Sequence, residues 1–167
     1  MEAPVAESVE IQRPLGALAL SLSHYSDKHV RKVYSTASQL SDLVMKPKGF
    51  WVSVDGQDDW KSWCQAEEFH LHRLTYRHKV YLTPEARTRV LTLEDEQEVL
   101  SFSNEFSLAP SRYNMDWAEI AKRWAGVIIA PYMWELRRDT RTTWYYGWDC
   151  ASGCIWDASV IRDIKLR

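Results

Sequence analysis

The sequence predicts a single α+β domain in which a compact, split and largely antiparallel sheet packs against two or three helices. Three observations predict this class. The chain has 167 residues, the length of one domain that can bury its own core. Short runs of strand-forming residues alternate with segments of helical period. Because these segments do not follow a regular strand–helix–strand order, a doubly wound parallel sheet is not expected.

The strands are predicted from short apolar or alternating runs bounded by glycine, proline or polar residues. The first is ALALSLSHY, in which leucines alternate with small residues as far as His24. A long polar loop, with one weak helix at most, leads to the second strand, Phe50–Val54. Further strands are expected in RHKVYLT, TRVLTL and VIIAPY, and two more around GWDCASGCIW. A bulge at Gly153 is expected to turn Trp148 and Trp156 to different faces.

Three segments carry the helical period. DDWKSWCQAEEF is expected to begin at a capping Asp58 or Asp59 and to place Cys64 and two tryptophans on one face. EDEQEVLSFSNEF has acidic residues in its first turn, which favours a helix start there. DWAEIAKRWAG opens with Asp116 and Glu119, a pattern related to the capping box.

Net charge, the first 15 residues and the cysteine count limit the binding partners and cellular compartments that are expected. The formal net charge is −2, so tight nonspecific binding of nucleic acid is not expected, although a small nucleic-acid target held in a pocket stays open. Residues 1–15 lack the pattern of a signal peptide and are expected to form a flexible leader before a single domain at 16–167. No membrane contact is expected. Three cysteines do not make a disulfide framework, which indicates a cytoplasmic setting.

The cysteines are not expected to bind a metal or to act as nucleophiles. Cys150 and Cys154 are separated by three residues, whereas structural zinc knuckles favour two. The sequence places no histidine near either cysteine, as a thiolate nucleophile would need. The two cysteines are therefore expected to be small apolar residues, and no metal is expected. Phosphate-binding glycine loops are also absent.

Polar and aromatic side chains converge in three places that together suggest a ligand pocket. The first strand ends in His24, Tyr25 and Ser26, and the second carries Trp51 and Ser53. The third place contributes four residues: Tyr146, Trp148, Asp149 and Ser152. A concave site of aromatic walls with a few convergent polar groups is typical of small-molecule binding. For each residue the alternative is a structural role, a satisfied surface histidine for His24 and a turn cap for Asp149.

This pattern resembles the ADP-ribosyltransferase fold over roughly residues 17–166. A strand ending in histidine, a second strand G-[FLY]-[WY]-x-S after a polar loop, a helix and then V-Y-L and V-L-T-L strands occur in the same order. The block WYYGWDCASGCIW also resembles a signature of small phage and bacterial proteins. The resemblance implies that NAD is consumed as a co-substrate.

The resemblance also implies roles for individual residues. His24 would hydrogen-bond a ribose of NAD, and Ser53 would lie beside the nicotinamide. The late strand, expected in SGCIWD, usually carries a glutamate, but Ser152 and Gly153 stand there and Asp149 is the nearest upstream acid. The catalytic set is then His24, Ser53 and Asp149. The NAD-binding set is Tyr25, Ser26, Trp51, Tyr146, Trp148 and Ser152.

The expected function is mono-ADP-ribosylation of a protein or nucleic-acid acceptor by a monomer, as in a toxin, an effector or a phage-encoded modifier. Two alternatives stay open. The missing glutamate favours a non-catalytic NAD- or nucleotide-binding module of the same fold. RNA 2′-phosphotransferase chemistry, which also consumes NAD, would need arginines such as Arg31, Arg73, Arg77 and Arg89 to grip phosphates.

Overall fold

The computed structural model describes residues 15–39 and 45–167. Their strands are β1 (Leu22–Ser26), β2 (Phe50–Val54), β3 (Tyr76–Leu82), β4 (Val90–Leu93), β5 (Ser107–Leu108), β6 (Asn114–Met115), β7 (Gly126–Ile129), β8 (Ser152–Ile155) and β9 (Ile161–Leu166). Their α-helices are α1 (Trp60–Ala66), α2 (Ala86–Arg89), α3 (Glu96–Phe106) and α4 (Trp117–Arg123). Short 3₁₀ helices complete the described elements. The class is α+β, as predicted.

Seven strands form one mixed sheet in the order β4-β7-β8-β2-β1-β3-β9. Only the β4–β7 pair is parallel among the described strands; the remaining pairs of this sheet are antiparallel. The antiparallel character predicted from sequence is therefore confirmed except at one edge. Strands β5 and β6 form a separate two-stranded ribbon. In the main sheet, β1, β2 and β8 are neighbours, although about 100 residues separate β2 from β8 along the chain.

The three predicted helices form; α1 and α4 begin at predicted caps, and α3 begins at the cap Asp95, just before its acidic first turn. The carboxylates of Asp59, Asp95 and Asp116 accept hydrogen bonds from backbone N–H groups three residues later, at the starts of α1, α3 and α4. Such bonds satisfy donors that the first turn of a helix leaves unpaired. The single-turn helix α2 is an addition to the predicted set.

Two predicted strands are wrong in part. Gly16–Ala19 forms a 3₁₀ helix rather than the start of β1, since alanine and leucine favour helical turns when no neighbouring strand is present. Thr140–Gly147 is also a 3₁₀ segment. The carboxylate of Asp139 accepts the N–H of Arg141 and so starts this turn.

The bulge predicted at Gly153 is also wrong. Strand β8 pairs in continuous register with both β2 and β7. Gly153 instead permits close approach of the strands: a Cβ there would lie 2.5 Å from Ile128 Cγ1 and 2.8 Å from Ile128 Cα. Both Trp148 and Trp156 are buried. The predicted placement of the two tryptophans on different faces, one toward a ligand and one toward the core, is therefore not needed.

Aromatic residues dominate the core beside β7 and β8. Trp117 is fully buried, and its ring lies 6.1–6.3 Å from those of Trp144, Trp148 and Trp156. Offset and edge-on contacts of this kind stabilise a core beyond simple area burial. The core therefore fixes the loop that precedes β8, which carries Trp148 and Asp149.

Two further predictions concern the ends of the chain and membranes. The predicted leader, residues 1–15, lies outside the described residues except for Leu15. Among the described helices, none has the length and apolar character needed to cross a membrane.

Candidate functional site

The sheet opens between β1 and β2. Strand β1 pairs with β3 along all five of its residues but with β2 only at Leu22 and Ser23, opposite Val54 and Ser53. Beyond this point the His24 ring reaches across the gap, and its Nδ1 lies 2.7 Å from the carbonyl oxygen of Trp51. A side chain thus replaces the backbone ladder at this end of the β1–β2 pair. The split sheet predicted from sequence is wrong, because β1 and β2 stay paired at Leu22 and Ser23 within one seven-stranded sheet.

Peptide groups of β1 face this opening. The N–H of Asp55 donates to the carbonyl of Ser21, and alternate residues of an antiparallel strand face the same neighbour. The N–H and C=O of Ser23 and Tyr25 therefore face β2 as well. Tyr25 lies beyond the last β1–β2 pair. Its peptide donor and acceptor consequently face the opening with no strand opposite.

The protonation state of His24 follows from its hydrogen bond. A carbonyl oxygen only accepts, so Nδ1 carries the proton and Nε2 presents a lone pair. No described residue hydrogen-bonds Nε2. The ring stacks on Phe50 at 4.2 Å. Burial lowers the pKa of His24, an effect that the bond to Trp51 opposes and nearby His78 reinforces. The neutral, accepting form is therefore favoured.

A cavity of about 300 Å³ lies at the opening. Its volume is at the lower end of the range typical of ligand pockets. Thirteen residues line it: Ser23, His24, Tyr25, Lys46, Trp51, Val52, Ser53, Trp60, Arg73, Trp148, Asp149, Cys150 and Ser152. They come from β1, β2 and β8, from the loop before β8, and from the segments around α1.

Three serines form a row across the sheet beneath the cavity. Ser23 lies opposite Ser53, and Ser53 opposite Ser152, so their side chains share one face. All three are buried. The Oγ of Ser53 accepts the N–H of Trp60 at 2.9 Å, and no described residue accepts its own hydroxyl proton. Ser53 therefore positions α1 and keeps one donor free.

Asp149 is the acidic group of the cavity. Its side chain is 24% exposed, and Oδ2 lies 3.7 Å from Lys46 Nζ. Burial raises the pKa of Asp149, while Lys46 and Arg137 lower it. Lys46 Nζ also lies 5.4 Å from the centre of the Trp51 ring. One lysine therefore bridges the acid and an aromatic wall.

The aromatic walls differ in burial. Trp148 is 1% exposed, and its Nε1 donates to the carbonyl of Ser152 at 3.3 Å. Its ring lies 4.9 Å from that of Trp51. Trp51 and Trp60 are only half-buried. Trp148 is thus a core residue with one edge at the cavity, whereas Trp51 and Trp60 can offer ring faces to a ligand.

Seven of the nine predicted site residues line this cavity: His24, Tyr25, Trp51, Ser53, Trp148, Asp149 and Ser152. Ser26 and Tyr146 do not. The Oγ of Ser26 accepts the N–H of Lys28 at the end of β1. Tyr146 is 53% exposed, and its ring packs against the guanidinium of Arg137.

Several lining residues were not predicted for this site, notably Trp60 and Lys46, and Arg73 was named only for the RNA 2′-phosphotransferase alternative. Trp60 could have been found, because it lies on the apolar face of the helix that directly follows β2. Nothing in the sequence around Lys46 or Arg73 distinguishes them from surface cations. Their place in the cavity results from long-range packing.

The cysteines lack the character of nucleophiles or metal ligands. Burial raises the pKa of Cys64 to about 11 and that of Cys150 to about 12, and it also raises that of Cys154. Protonated, buried thiols are poor nucleophiles. In the described part of the chain, no three His, Cys, Asp or Glu side chains are grouped so as to hold a metal ion.

A larger, more open groove of about 720 Å³ begins at the far end of β2. Its lining combines apolar residues with the acids Asp55, Asp58 and Glu94, and it contains no Lys, Arg or His among described residues. Asp55 is already paired with Lys79 and Arg77. The smaller cavity has Lys46 and Arg73 in its lining and is the better candidate site for a nucleotide phosphate.

Comparison of the chain with models of known families, with curated proteins and with solved structures finds no match.

Proposed function

We propose that this protein is a mono-ADP-ribosyltransferase that consumes NAD in the cavity at the β1–β2 opening. One observation carries the proposal: His24, Ser53 and Asp149, far apart in sequence, line a single cavity. They come from β1, from β2 and from the loop entering β8, which are adjacent in the sheet. A resemblance to the ADP-ribosyltransferase fold requires three such neighbouring elements.

The opening suits the nicotinamide end of NAD. A primary carboxamide has one donor and one acceptor face, and the peptide N–H and C=O of Tyr25 offer the complementary pair. The half-buried rings of Trp51 and Trp60 supply flat apolar surface for the pyridinium ring. Nε2 of His24 can accept a hydrogen bond from a ribose hydroxyl.

Charges in the cavity suit the remaining parts of the reaction. Lys46 and Arg73 can bind the pyrophosphate, because both are cationic and line the cavity. During transfer the bond between ribose C1′ and the nicotinamide nitrogen breaks, and nicotinamide leaves with the electron pair. The acceptor nucleophile then bonds to C1′ and releases its proton. Carboxylate Asp149 stabilises the positive charge that develops on the sugar, as in glycoside cleavage.

A second candidate is a binding module of the same fold without catalysis. Two observations favour it: Ser152 and Gly153 replace the expected glutamate, and Lys46 neutralises the remaining acid at 3.7 Å. RNA 2′-phosphotransferase chemistry is less favoured. Arg89, one of the four arginines it would use, is bound by Asp157 instead.

Release of nicotinamide distinguishes the two leading candidates. Purified protein is incubated with NAD, with and without a cell lysate as a source of acceptors, and free nicotinamide is quantified by chromatography. The transferase predicts nicotinamide release that increases with lysate and that is lost in Asp149→Asn. Binding of NAD without release under either condition would support the non-catalytic module.

A further inference from the structure

Two exposed segments carry a local excess of positive charge on a chain whose net charge is −2. They are residues 28–34, KHVRKVY, and residues 69–77, FHLHRLTYR. Their sixteen residues include five Lys or Arg, three His and no acid. We call them together the basic–aromatic surface. Such an asymmetry indicates a surface for an anionic partner.

Most of these cations have no described acidic partner, and Lys32 Nζ lies 5.0 Å from the centre of the Tyr34 ring. Arg77 pairs with Asp55 at 3.3 Å. Lys28, Arg31, Lys32 and Arg73 form no ion pair with any residue in the ranges 15–39 and 45–167. All four are exposed. Elsewhere on the protein many exposed cations already have acidic partners, as in Arg123–Glu105 and Lys122–Glu119.

The two segments meet at β3. The His29 ring stacks on that of His78 at 5.4 Å and lies 6.5 Å from that of Tyr76. The N–H of Val30 donates to Nε2 of His78 at 2.9 Å. His29 and Val30 are thereby fixed against β3, which follows directly from residues 69–75.

Exposed rings accompany the charges. Tyr34 is 74% exposed and Phe69 is 39% exposed. Phe69 lies between Glu68 and His70, both with positive φ, at 51° and 41°. A left-handed conformation is unfavourable for a non-glycine residue. The backbone held in this form packs the Phe69 ring edge-on against Trp63 at 5.2 Å and leaves part of the ring at the surface.

The surface adjoins the cavity. Arg73 belongs to both, since it also lines the cavity. Strand β1, which supplies His24 and Tyr25 to the cavity, runs directly into residues 28–34. A long ligand on the surface would therefore have one part beside the proposed ribose site.

Charge and rings together select the partner. Phosphates pair with lysine and arginine, and unstacked bases stack on exposed aromatic rings. A duplex hides the faces of its bases, and a peptide of Asp and Glu alone has no rings to match. We propose that the basic–aromatic surface binds single-stranded nucleic acid and presents it to the cavity as the acceptor. Binding to the surface stands alone, whereas the acceptor role rests on the proposed function.

Fluorescence anisotropy tests the binding step without NAD. The full chain is titrated into a fluorescein-labelled single-stranded RNA or DNA of about 12 nucleotides, within the usual size of such sites. We expect saturable binding that weakens with salt. The double variant Arg31→Gln and Arg73→Gln should reduce the slope of log affinity against log salt by about 1.4, for two lost phosphate contacts. Tyr34→Leu with Phe69→Leu should weaken binding about tenfold or more.

A matched control removes two exposed cations from other parts of the chain. Arg87→Gln with Arg138→Gln gives the same change in net charge and should leave affinity unchanged. Equal weakening by the control, equal affinity for a duplex or for polyglutamate, or no binding would each overturn the proposal. Nicotinamide release measured without oligonucleotide reports on the proposed function separately. Release of nicotinamide in a protein that binds no oligonucleotide would overturn this inference alone.

Discussion

His24 is the residue on which the candidate site depends most. Its Nδ1–H is committed to the carbonyl of Trp51, and this bond both closes the gap between strands and fixes the tautomer. The remaining nitrogen can only accept while the ring is neutral. A single side chain thus links the geometry of the sheet to the chemistry of the cavity.

We expect His24→Ala to weaken NAD binding about 5- to 150-fold, as the loss of a hydrogen bond worth about 1–3 kcal/mol predicts. Isothermal titration calorimetry measures the affinity. Ser26→Ala is the matched control, since Ser26 lies on the same strand but does not line the cavity. An unchanged affinity in His24→Ala would remove the histidine from the site.

Asp149 gives a second prediction, for activity. Asp149→Asn should lower the rate of nicotinamide release about 100- to 1000-fold, as expected when a preorganised charge is removed from a transition state. Because burial raises the pKa of Asp149, the activity of the unmodified protein should rise with pH through a midpoint above the ordinary aspartate value. A flat profile through the acid range would contradict the role of a carboxylate.

The same substitution should stabilise the protein. A carboxyl whose pKa is raised by folding binds its proton more tightly in the folded state, so its stabilising effect is present at low pH and lost as pH rises through the folded pKa. At neutral pH the ionised Asp149 therefore costs stability. Asp149→Asn should raise Tm at neutral pH but not in acid, whereas exposed Asp27→Asn should change neither.

Among the elements, β3 fastens the segment after β1 through one buried histidine. His78 is fully buried; its Nε2 accepts the N–H of Val30, and its Nδ1 lies 3.3 Å from the carbonyl of His24. The bond from Val30 requires the neutral ring, because Nε2 accepts only when it carries no proton. His78 therefore connects the cavity wall to the basic–aromatic surface.

His78→Ala should reduce the free energy of unfolding by at least about 1–3 kcal/mol, because it leaves the N–H of Val30 unpaired. Burial lowers the pKa of His78 from its ordinary 6.5. The stability that this histidine contributes is thus present above that ordinary value and is lost as pH falls below it and through the lower pKa of the folded state. Between about pH 7 and about pH 5, the free energy of unfolding measured in urea should fall less in His78→Gln than in the unmodified protein. Equal losses would contradict a neutral, buried His78.

Local chemistry explains which elements the sequence could predict. The capping aspartates Asp59 and Asp116, and the short strand-forming run Phe50–Val54 bounded by Gly49 and Gly56, act within a few residues and appear in the structure as expected. A strand was predicted in Thr140–Gly147 because tryptophan and tyrosine favour strands. In the structure Asp139 starts a 3₁₀ turn there, and the core buries the rings of Trp144 and Tyr145.

The site was predictable where its residues lie on strands or directly before one. His24, Trp51 and Ser53 were found because strand ends present polar groups. Lys46 was missed, and Arg73 was named only for phosphotransferase chemistry, because each reaches the cavity through contacts between distant segments. The opening of the sheet itself depends on where the β1–β2 register stops, which no local pattern encodes.

For the whole molecule, charge is divided between distinct regions. Unpaired cations lie along residues 28–34 and 69–77, whereas acids line the larger groove. The edge strand β9 carries Arg162, Asp163 and Lys165, and charged edges discourage pairing with another sheet.

The whole chain is therefore expected to be a monomer. Size-exclusion chromatography with light scattering should give a mass near 19.6 kDa at all concentrations tested. A mass that doubles with concentration would contradict this expectation and would make β9 a candidate dimer contact.

A crystal structure of the protein soaked with NAD tests most directly whether the β1–β2 opening binds NAD. We expect the nicotinamide ring in this opening, with its carboxamide on the Tyr25 peptide and a ribose hydroxyl on Nε2 of His24. Well-defined NAD in the acidic groove near Asp58, or an opening filled by protein with no ligand, would contradict it.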